Sequence, residues 1–386
     1  MSLALSYDKY DSLFFKEVFL MTIFSKHYFV CANSAKGFQN FFPSNLKSLN
    51  KIYILKGGPG TGKSSLMKKI GTALEEKEYS VEYIHCSSDP DSLDGLICRT
   101  LSIGIVDGTS PHVVEPTAPG AIEEYINLGI AWNIEELSKH KKEILYLQEE
   151  IAACYPKAYE KFAEALAIHD EWEKIYIDHM NFKKANVLTQ EVISEILGTT
   201  QLSKRSTIMH RFFGGSTPKG AFDFVPDLIE PMKKRYFIKG RPGSGKSTLL
   251  KKLLATAQLR GLDVEVYHCG FDPDSLDMLI IPELEVCIFD STSPHEYFPK
   301  REDDHTIDMY KQLISPDTDL TYEKELAHIS KRYKLCVKEG LSHLTYAKML
   351  HDDLEKYYID ATDFTILDDI YTHLMKHITS RILPLK

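Results

Sequence analysis

The sequence predicts an α/β protein made of two similar domains in tandem. Short apolar, β-branched runs alternate with segments of helical spacing, as in a parallel sheet with crossover helices. The whole pattern returns 183 residues further along the chain. Each copy then ends in a long segment with apolar residues one helical turn apart. We therefore expect two parallel sheets, each followed by a helical hairpin or lid.

The repeat is visible residue by residue. An offset of 183 holds without insertion from His27 and His210 as far as Pro116 and Pro299. The two copies then drift and match again at an offset of 182, where HDEWEKIYID (169–178) corresponds to HDDLEKYYID (351–360). Each copy has the size of a complete domain and is far too long for a solenoid repeat. We expect an N-terminal extension at 1–26 and domains at 27–203 and 204–386, arranged as a pseudo-two-fold pair.

Five segments of the first copy carry the α/β pattern. Three are short apolar runs typical of buried strands, and two are segments expected to be helical: strands at 51–57, 81–86 and 101–107, and helices at 62–78 and 91–100. The runs HYFVCAN (27–33) and HRFFGGS (210–216) predict a further strand at the start of each copy. Within 121–198 the spacing predicts a helical hairpin, with Pro156 near its turn.

Composition narrows the class of partner and the compartment. The chain has 386 residues and a net charge of −9, which argues against nucleic acid as the main partner. Seven cysteines without CxxC spacing suit reduced thiols in a cytoplasm. No uninterrupted apolar stretch approaches the ~20 residues that span a bilayer. We expect a cytoplasmic protein with no membrane segment.

Two glycine-rich stretches, GGPGTGKSS (57–65) and GRPGSGKST (240–248), match the pattern G-x-x-x-x-G-K-[ST]. Glycines let backbone amides surround phosphates, the lysine reaches the β and γ oxygens, and the serine hydroxyl binds Mg²⁺. The start of the following helix adds the positive end of its dipole. The residues expected to bind the nucleotide are Gly57, Gly58, Gly60, Thr61, Gly62, Lys63, Ser64 and Ser65, with Gly240, Arg241, Gly243, Ser244, Gly245, Lys246, Ser247 and Thr248.

These motifs resemble the P-loop NTPase superfamily. The two halves together are similar to a bacterial tandem P-loop family whose members have no assigned reaction. The resemblance covers nearly the whole chain, and it implies the fold and the binding of ATP while leaving the substrate open.

The third strand of each copy ends in an aspartate, as IGIVD107 and VCIFD290. Such an aspartate lies beside the loop serine and holds the water shell of Mg²⁺. We therefore expect Ser64 and Asp107, and Ser247 and Asp290, to be the metal-binding residues. Many ATPases place a water-activating glutamate next, whereas here Gly108 and Ser291 follow. Without that glutamate, a different group must position any attacking water. The sequence contains no NKxD-like motif, which argues against a GTPase, and no LSGGQ-like motif, which excludes a transporter-type cassette.

Two segments kept in both copies are candidates for that task. In D-x-T-S-P-H, His112 and His295 could contact the γ-phosphate or a water, or the histidine could simply cap a turn. In H-C-x-x-D-P-D-S-L-D, Asp89 or Asp91, or their duplicates Asp272 and Asp274, could accept a proton from an acceptor hydroxyl, as in P-loop kinases. Asp91 and Asp274 could instead cap the predicted short helix.

The repeated HDxxEKxYID segment and the arginines complete the set of candidates. Most such helical patterns combine packing with an i,i+4 ion pair, but Lys174 and Lys356 could also serve as lid cations. Because Arg99 is the only arginine in residues 1–200, an arginine finger for the first site would come from Arg241, Arg301 or another chain.

Three functions fit this sequence. The first is a Mg²⁺-dependent ATPase with two tandem ATP sites, the second a kinase that phosphorylates a small molecule or nucleotide, and the third a nucleotide-gated binding protein with little turnover. ATP and Mg²⁺ are the expected ligands in all three.

Overall fold

A single mixed sheet of twelve strands forms the centre of the molecule. The computed structural model describes residues 25–111 and 113–381. The sixteen strands of this part of the chain are β1 Lys26–Phe29, β2 Cys31–Ser34, β3 Gly37–Asn40, β4 Lys51–Lys56, β5 Glu82–Cys86, β6 Asp89–Cys98, β7 Ile103–Asp107, β8 Glu123–Asn127, β9 Ile208–Phe212, β10 Gly214–Thr217, β11 Gly220–Asp223, β12 Lys234–Lys239, β13 Val264–His268, β14 Leu276–Ile281, β15 Val286–Asp290 and β16 Asp304–Asp308. Two of the hairpins, β2–β3 and β10–β11, lie outside the central sheet.

Eleven α-helices accompany these strands in the described residues. They are α1 Phe42–Leu46, α2 Lys63–Glu75, α3 Ile134–Lys139, α4 Lys141–Asp178, α5 Phe182–Leu197, α6 Val225–Ile229, α7 Lys246–Leu259, α8 Met309–Leu313, α9 Thr318–Thr321, α10 Glu323–Asp360 and α11 Phe364–Ser380. None of the described helices is long and apolar enough to cross a bilayer. Residues 1–24 of the predicted N-terminal extension lie outside the described residues.

Each repeat contributes six strands to the central sheet in the order β1-β5-β6-β7-β4-β8, and β9-β13-β14-β15-β12-β16. Five of the six run in one direction, and the strand between β5 and β7, or between β13 and β15, runs against them. The predicted α/β class is confirmed, but the two parallel sheets that we expected are one large, mostly parallel sheet, because β1 pairs with β9 and joins the two repeats.

The helix predicted at 91–100 is wrong, because Asp89–Cys98 forms strand β6. Leu96, Ile97 and Cys98 are three consecutive residues and all are fully buried. An amphipathic helix would expose part of such a run to solvent. Neighbouring strands β5 and β7 pair with β6 on both sides and satisfy its backbone groups. A short apolar run of this kind cannot be assigned from periodicity alone.

The two repeats meet at the middle of the sheet, where β1 pairs with β9 in antiparallel fashion. Phe29 lies opposite Phe212, which is its own counterpart in the other repeat. A residue that pairs with its own counterpart marks a two-fold relation, here a pseudo-two-fold because the repeats differ in sequence. The sheet is therefore continuous across both copies.

Helices α4 and α10, each of 38 residues, pack against each other along their length. The ion pairs Glu171–Arg332 and Lys161–Glu339 show that the two helices are antiparallel. The predicted turn near Pro156 is wrong, because α4 continues through this residue and the chain turns at 179–181. Buried Cys154 and Ala158 on either side keep the apolar face continuous, and this packing outweighs the backbone bond that proline removes.

The helical hairpin of each repeat crosses to the other repeat. Helix α5 of the first copy packs on the second sheet, where Val192, Ile193 and Ile196 join the core around Leu249. Helix α11 of the second copy packs on the first sheet, where Leu367 and its neighbours join the core around α2. The two copies thus exchange their C-terminal helices.

Candidate functional site

Glycine loop 1 (residues 57–65) connects β4 to the start of α2. Gly60 and Gly62 have φ of +67° and +77°, which only glycine adopts readily, and they turn the backbone around the lysine. The Lys63 ammonium donates to the carbonyl oxygens of Gly57 and Gly58 at 2.9 and 2.8 Å. Thr61 is buried and its hydroxyl donates to the Gly58 carbonyl, so this side chain fastens the loop itself.

Glycine loop 2 (residues 240–248) repeats this arrangement between β12 and α7. Gly243 and Gly245 have φ of +72° and +88°. The Lys246 ammonium and the Ser244 hydroxyl both donate to the Arg241 carbonyl, at 3.1 and 2.7 Å. Ser65 and Thr248, the last residues assigned to the loops from the sequence, lie exposed in the first turn of the helix that follows.

The strand-end aspartates lie beside these lysines. The distance from Lys63 Nζ to Asp107 Oδ2 is 3.6 Å, and that from Lys246 Nζ to Asp290 Oδ2 is 3.5 Å. The Ser64 hydroxyl accepts from the Leu93 amide at 3.0 Å, and Ser247 does so from Leu276 at the same distance. A lysine, a serine hydroxyl and a carboxylate are therefore grouped in the same way at both loops.

A further carboxylate belongs to this group, and the sequence did not single it out. Asp94 precedes Gly95, which pairs with Val106 of β7, and it lines the same cavity as Asp107. Asp277 precedes Met278, which pairs with Phe289 of β15 in the same way. Burial, followed by repulsion from Asp290, raises the pKa of Asp277 to about 7. Recognising β6 as a strand paired with β7 would have brought this segment close to Asp107.

Asp89 and Asp272 shape the turn that leads into β6 and β14. Each accepts a bond from the serine hydroxyl three residues later, Ser92 or Ser275, at 2.9 Å. Their outer partners differ: the Lys348 ammonium of α10 lies 3.5 Å from Asp89, whereas Lys36 lies 3.0 Å from Asp272. The predicted helix-capping role of Asp91 and Asp274 is wrong, because a strand follows each turn.

A histidine pair supports each of these turns. His85 Nδ1 bonds to the Pro90 carbonyl at 2.7 Å, and its Nε2 lies 2.8 Å from His27 Nδ1. His268 and His210 form the same pair at 2.9 Å, with His268 Nδ1 on the Pro273 carbonyl. Burial lowers the pKa of both His85 and His268 to about 4, so both are neutral at pH 7.

The two histidines of D-x-T-S-P-H cannot be compared directly, because His112 lies outside the described residues. His295 Nδ1 is 2.5 Å from Asp223 Oδ2, and the Tyr297 hydroxyl donates to the other oxygen of Asp223. The first repeat has Asn40 and Val114 at the positions of Asp223 and Tyr297, so this network is confined to the second repeat.

The long helix of each repeat covers the glycine loop of the other repeat. A Cβ added at Gly60 would lie 2.8 Å from the Glu355 carbonyl of α10, and one at Gly58 would lie 2.7 Å from the Tyr358 ring. A Cβ added at Gly243 would lie 2.5 Å from the Glu173 carbonyl of α4. Both approaches are made by the HDxxEKxYID segment, so each site combines a loop from one repeat with a helix from the other.

The cations suggested from the sequence have partners elsewhere. Lys174 pairs with Asp178 and Lys356 with Asp353, both on the exposed side of their helices. The Arg241 guanidinium pairs with Asp319, and that of Arg301 donates to the Glu230 and Met232 carbonyls. Each of these arginines therefore has its partners within the second repeat.

A cavity of about 1070 Å³ opens above glycine loop 1. One wall is the loop with Asp94 and Asp107, and the others come from α10 and the middle of α4. The polar residues that line it include Asp89, Lys348, Tyr155 and Tyr159. Local sequence pattern does not reveal this cavity, because its walls join segments that lie about 90 to 300 residues apart.

Comparison with family models, with curated proteins and with solved structures finds no match for this chain. Its chemistry is therefore argued from its own residues and from the agreement between its two repeats.

Proposed function

We propose that this chain is a Mg²⁺-dependent ATPase of the P-loop type, with one nucleotide site at each glycine loop and two tandem P-loop domains at 27–203 and 204–386. The supporting observation is the grouping of lysine, serine and strand-end aspartate, which occurs twice with distances that agree to within 0.1 Å. A chance glycine turn would not reproduce the three polar groups in both copies.

The residues at each loop fit a Mg²⁺-bound nucleoside triphosphate. Amides of the loop and of the first turn of α2 or α7 would surround the phosphates, and Lys63 or Lys246 would neutralise their charge. Ser64 with Asp107, and Ser247 with Asp290, provide the oxygen ligands that Mg²⁺ prefers. The metal would offset charge on the β and γ oxygens.

The attacking water needs a proton acceptor, and no glutamate follows Asp107 or Asp290. Asp94 lines the same cavity as Asp107, and Asp277 is close enough to Asp290 for the charge of Asp290 to raise its pKa. A buried carboxylate in such a position can accept the proton of water as the γ-phosphate leaves. We assign this role to Asp94 and Asp277 in the hydrolytic reaction.

The compartment that fits this activity is the cytoplasm, where ATP is abundant. All seven cysteines are free thiols, and Cys31, Cys98 and Cys287 are fully buried. Reduced thiols of this kind are typical of cytoplasmic proteins.

The test is steady-state phosphate release from ATP by the purified full-length chain, with Mg²⁺ and with EDTA. We expect turnover that requires Mg²⁺ and falls at least 100-fold in the Lys63→Ala/Lys246→Ala double variant. Equal turnover in the double variant would assign the activity to a contaminant. Tight ATP binding with no turnover in the wild type would instead identify a nucleotide-gated binding protein.

A further inference from the structure

The surroundings of the two glycine loops differ at three positions that line the cavity at loop 1. Ser88, Ile151 and Leu354 border that cavity, and their counterparts in the other repeat are Phe271, Tyr333 and Trp172. All three changes replace a smaller side chain with an aromatic ring.

Beside loop 2, the Tyr333 ring contacts both of the other rings. The Phe271 and Tyr333 ring centroids are 5.9 Å apart, and those of Tyr333 and Trp172 are 6.1 Å apart. Phe271 also packs edge-on against Phe162 at 5.8 Å. The space that is open beside loop 1 is therefore occupied by aromatic side chains beside loop 2.

The cavity at loop 1 has more room than a nucleotide's phosphates need. Pockets that hold one drug-sized ligand measure roughly 300–1,000 Å³, and this cavity measures about 1070 Å³. It continues from the loop past Asp89 toward Tyr155 and Tyr159 on α4. A second small molecule bound at loop 1 would occupy this part of the cavity, beyond the loop that would hold the phosphates.

The lining of the cavity indicates the chemistry of that second molecule. Among the lining residues, Ser88, Tyr155 and Tyr159 carry hydroxyls and Asp89 carries a carboxylate, which are groups suited to hydrogen bonds with alcohols. In this structure the Tyr155 hydroxyl donates to Ser88, the Tyr159 hydroxyl donates to Asn33, and Asp89 accepts from Ser92. Ile151 and Leu354 offer apolar surface for a carbon skeleton. At loop 2 the positions of Tyr155, Tyr159 and Lys348 are held by Val337, Leu341 and Leu166, which cannot form these bonds.

We propose that loop 1, but not loop 2, transfers the γ-phosphoryl group of ATP to a hydroxyl of a small organic molecule bound in this cavity. The proposal rests on ATP cleavage at loop 1. The acceptor oxygen forms a bond to the γ-phosphorus, and the bond from that phosphorus to the bridging oxygen breaks. ADP leaves with the electron pair, and the hydroxyl proton passes to the Asp89 carboxylate.

The test follows the label of [γ-³²P]ATP in the presence of a deproteinised cell extract that supplies small hydroxyl compounds. We expect wild-type protein to form a labelled organic phosphate besides inorganic phosphate. The Ser88→Phe/Ile151→Tyr variant fills the cavity with the side chains that the second repeat carries, and we expect it to lose at least 90% of that product while still binding ATP. The matched Glu149→Tyr variant adds a ring at an exposed position of α4 that does not line the cavity, and we expect product within about threefold of wild type.

Four results would overturn the proposal. Release of inorganic phosphate as the sole labelled product would agree with the proposed ATPase and contradict the proposed phosphoryl transfer. Undiminished product from the filled variant, shown to be folded by its thermal unfolding, would place the acceptor elsewhere. Undiminished product from Asp89→Asn would remove the proposed proton acceptor, since such a group contributes about 10²–10⁴-fold in rate. Absence of any ADP formation would contradict the proposed function itself.

Discussion

The two glycine loops of this protein have the same interior and different surroundings. Within each loop, the distances from lysine to aspartate and from serine to the neighbouring strand agree to within 0.1 Å. Around loop 1 lies an open cavity with hydroxyl groups, whereas around loop 2 lies a cluster of aromatic rings. The groups that would hold phosphate have stayed constant, and the groups that would select a second ligand have diverged.

The interface between the two repeats also combines residues that both repeats carry with a residue that only one repeat carries. Glu82 and Glu265 are counterparts in the two repeats. Both form an ion pair with the same residue, Arg211, which lies 2.8 Å from Glu265 and 3.3 Å from Glu82. Its own counterpart is Tyr28, over whose ring the guanidinium lies at 3.9 Å. A single arginine thus occupies the pseudo-two-fold region, where a symmetric pair would bring two like charges together.

The largest expected effect on stability is at this interface. Arg211→Met would remove the buried cation that Glu82 and Glu265 share and leave them with Arg99 and Lys26 respectively. We expect the free energy of unfolding to fall by about 3 kcal/mol, the lower end of the range for breaking a buried ion pair. Chemical denaturation at pH 7 measures it. The control is Arg99→Met, which removes a half-buried arginine that pairs with Glu82 alone and should cost clearly less. An equal loss in both variants would mean that Arg211 does not join the repeats.

The loop lysines separate the roles of the two sites. We expect Lys63→Ala to lower Mg²⁺-ATP turnover at loop 1 by about 10²–10³-fold, because a group aimed at developing phosphate charge is lost. Lys246→Ala should act only on the turnover that comes from loop 2. Single-variant kinetics with and without acceptor extract measure both. Lys69→Ala, on the exposed face of α2, is the control. Equal loss of labelled organic product in both loop variants would contradict the difference between the sites.

Because of the two histidine pairs, we expect the free energy of unfolding to fall in acid, with an equal contribution from each repeat. His85 and His268 have folded-state pKa values of about 4, below the ordinary 6.5, so the unfolded chain binds protons that the folded chain excludes. Stability is fully present above pH 6.5 and is lost as the pH falls toward 4, by roughly 2 kcal/mol for each pair.

Unfolding free energies between pH 7.5 and 4.5 measure this loss. His85→Gln and His268→Gln should each flatten the pH dependence by a similar amount. If the two variants changed the pH dependence of the unfolding free energy by different amounts, the two repeats would also differ at the histidines beneath the D-P-D turns. If neither variant changed it, the histidine pairs would not be the cause of the acid sensitivity.

The smallest expected effect tests the crossed helices. A methyl group at Gly243 would meet the Glu173 carbonyl at 2.5 Å, and one at Gly60 would meet that of Glu355 at 2.8 Å. Gly243→Ala and Gly60→Ala should each weaken ATP binding at their own loop by about tenfold, since each helix must withdraw and each φ is positive. Calorimetric titration with the other loop lysine replaced by alanine isolates each site.

Gly220→Ala serves as the control for this pair. Its φ is +96°, but a Cβ there would meet nothing within 4 Å. It therefore carries the backbone penalty without any contact with α4 or α10. If Gly220→Ala weakened ATP binding as much as Gly243→Ala, the helix contact would have no part in the effect.

Much of the first copy could be predicted from local pattern. The strands at 51–57, 81–86 and 101–107 and the helix after loop 1 are present, because each is an apolar run or a periodic segment whose neighbours agree with it. Strand β6 was not predictable in the same way. Its ladder partners, β5 and β7, are separate segments of the chain, and its apolar run fits either a strand or a buried helix.

The sequence by itself determined the two glycine loops and the aspartates at the strand ends. Their geometry depends on residues within a few positions of one another, on glycine at positive φ, and on a strand and a helix at fixed distance along the chain. It also determined that the chain carries two copies.

Only the tertiary structure decided which helix covers which loop and where there is room for a second ligand. Glu355 and Gly60 are almost 300 residues apart, and the HDxxEKxYID pattern is satisfied equally well on either sheet. The choice depends on the antiparallel packing of α4 against α10 and on the pairing of β1 with β9. These are long-range contacts between surfaces, and they exist only when both repeats are folded together.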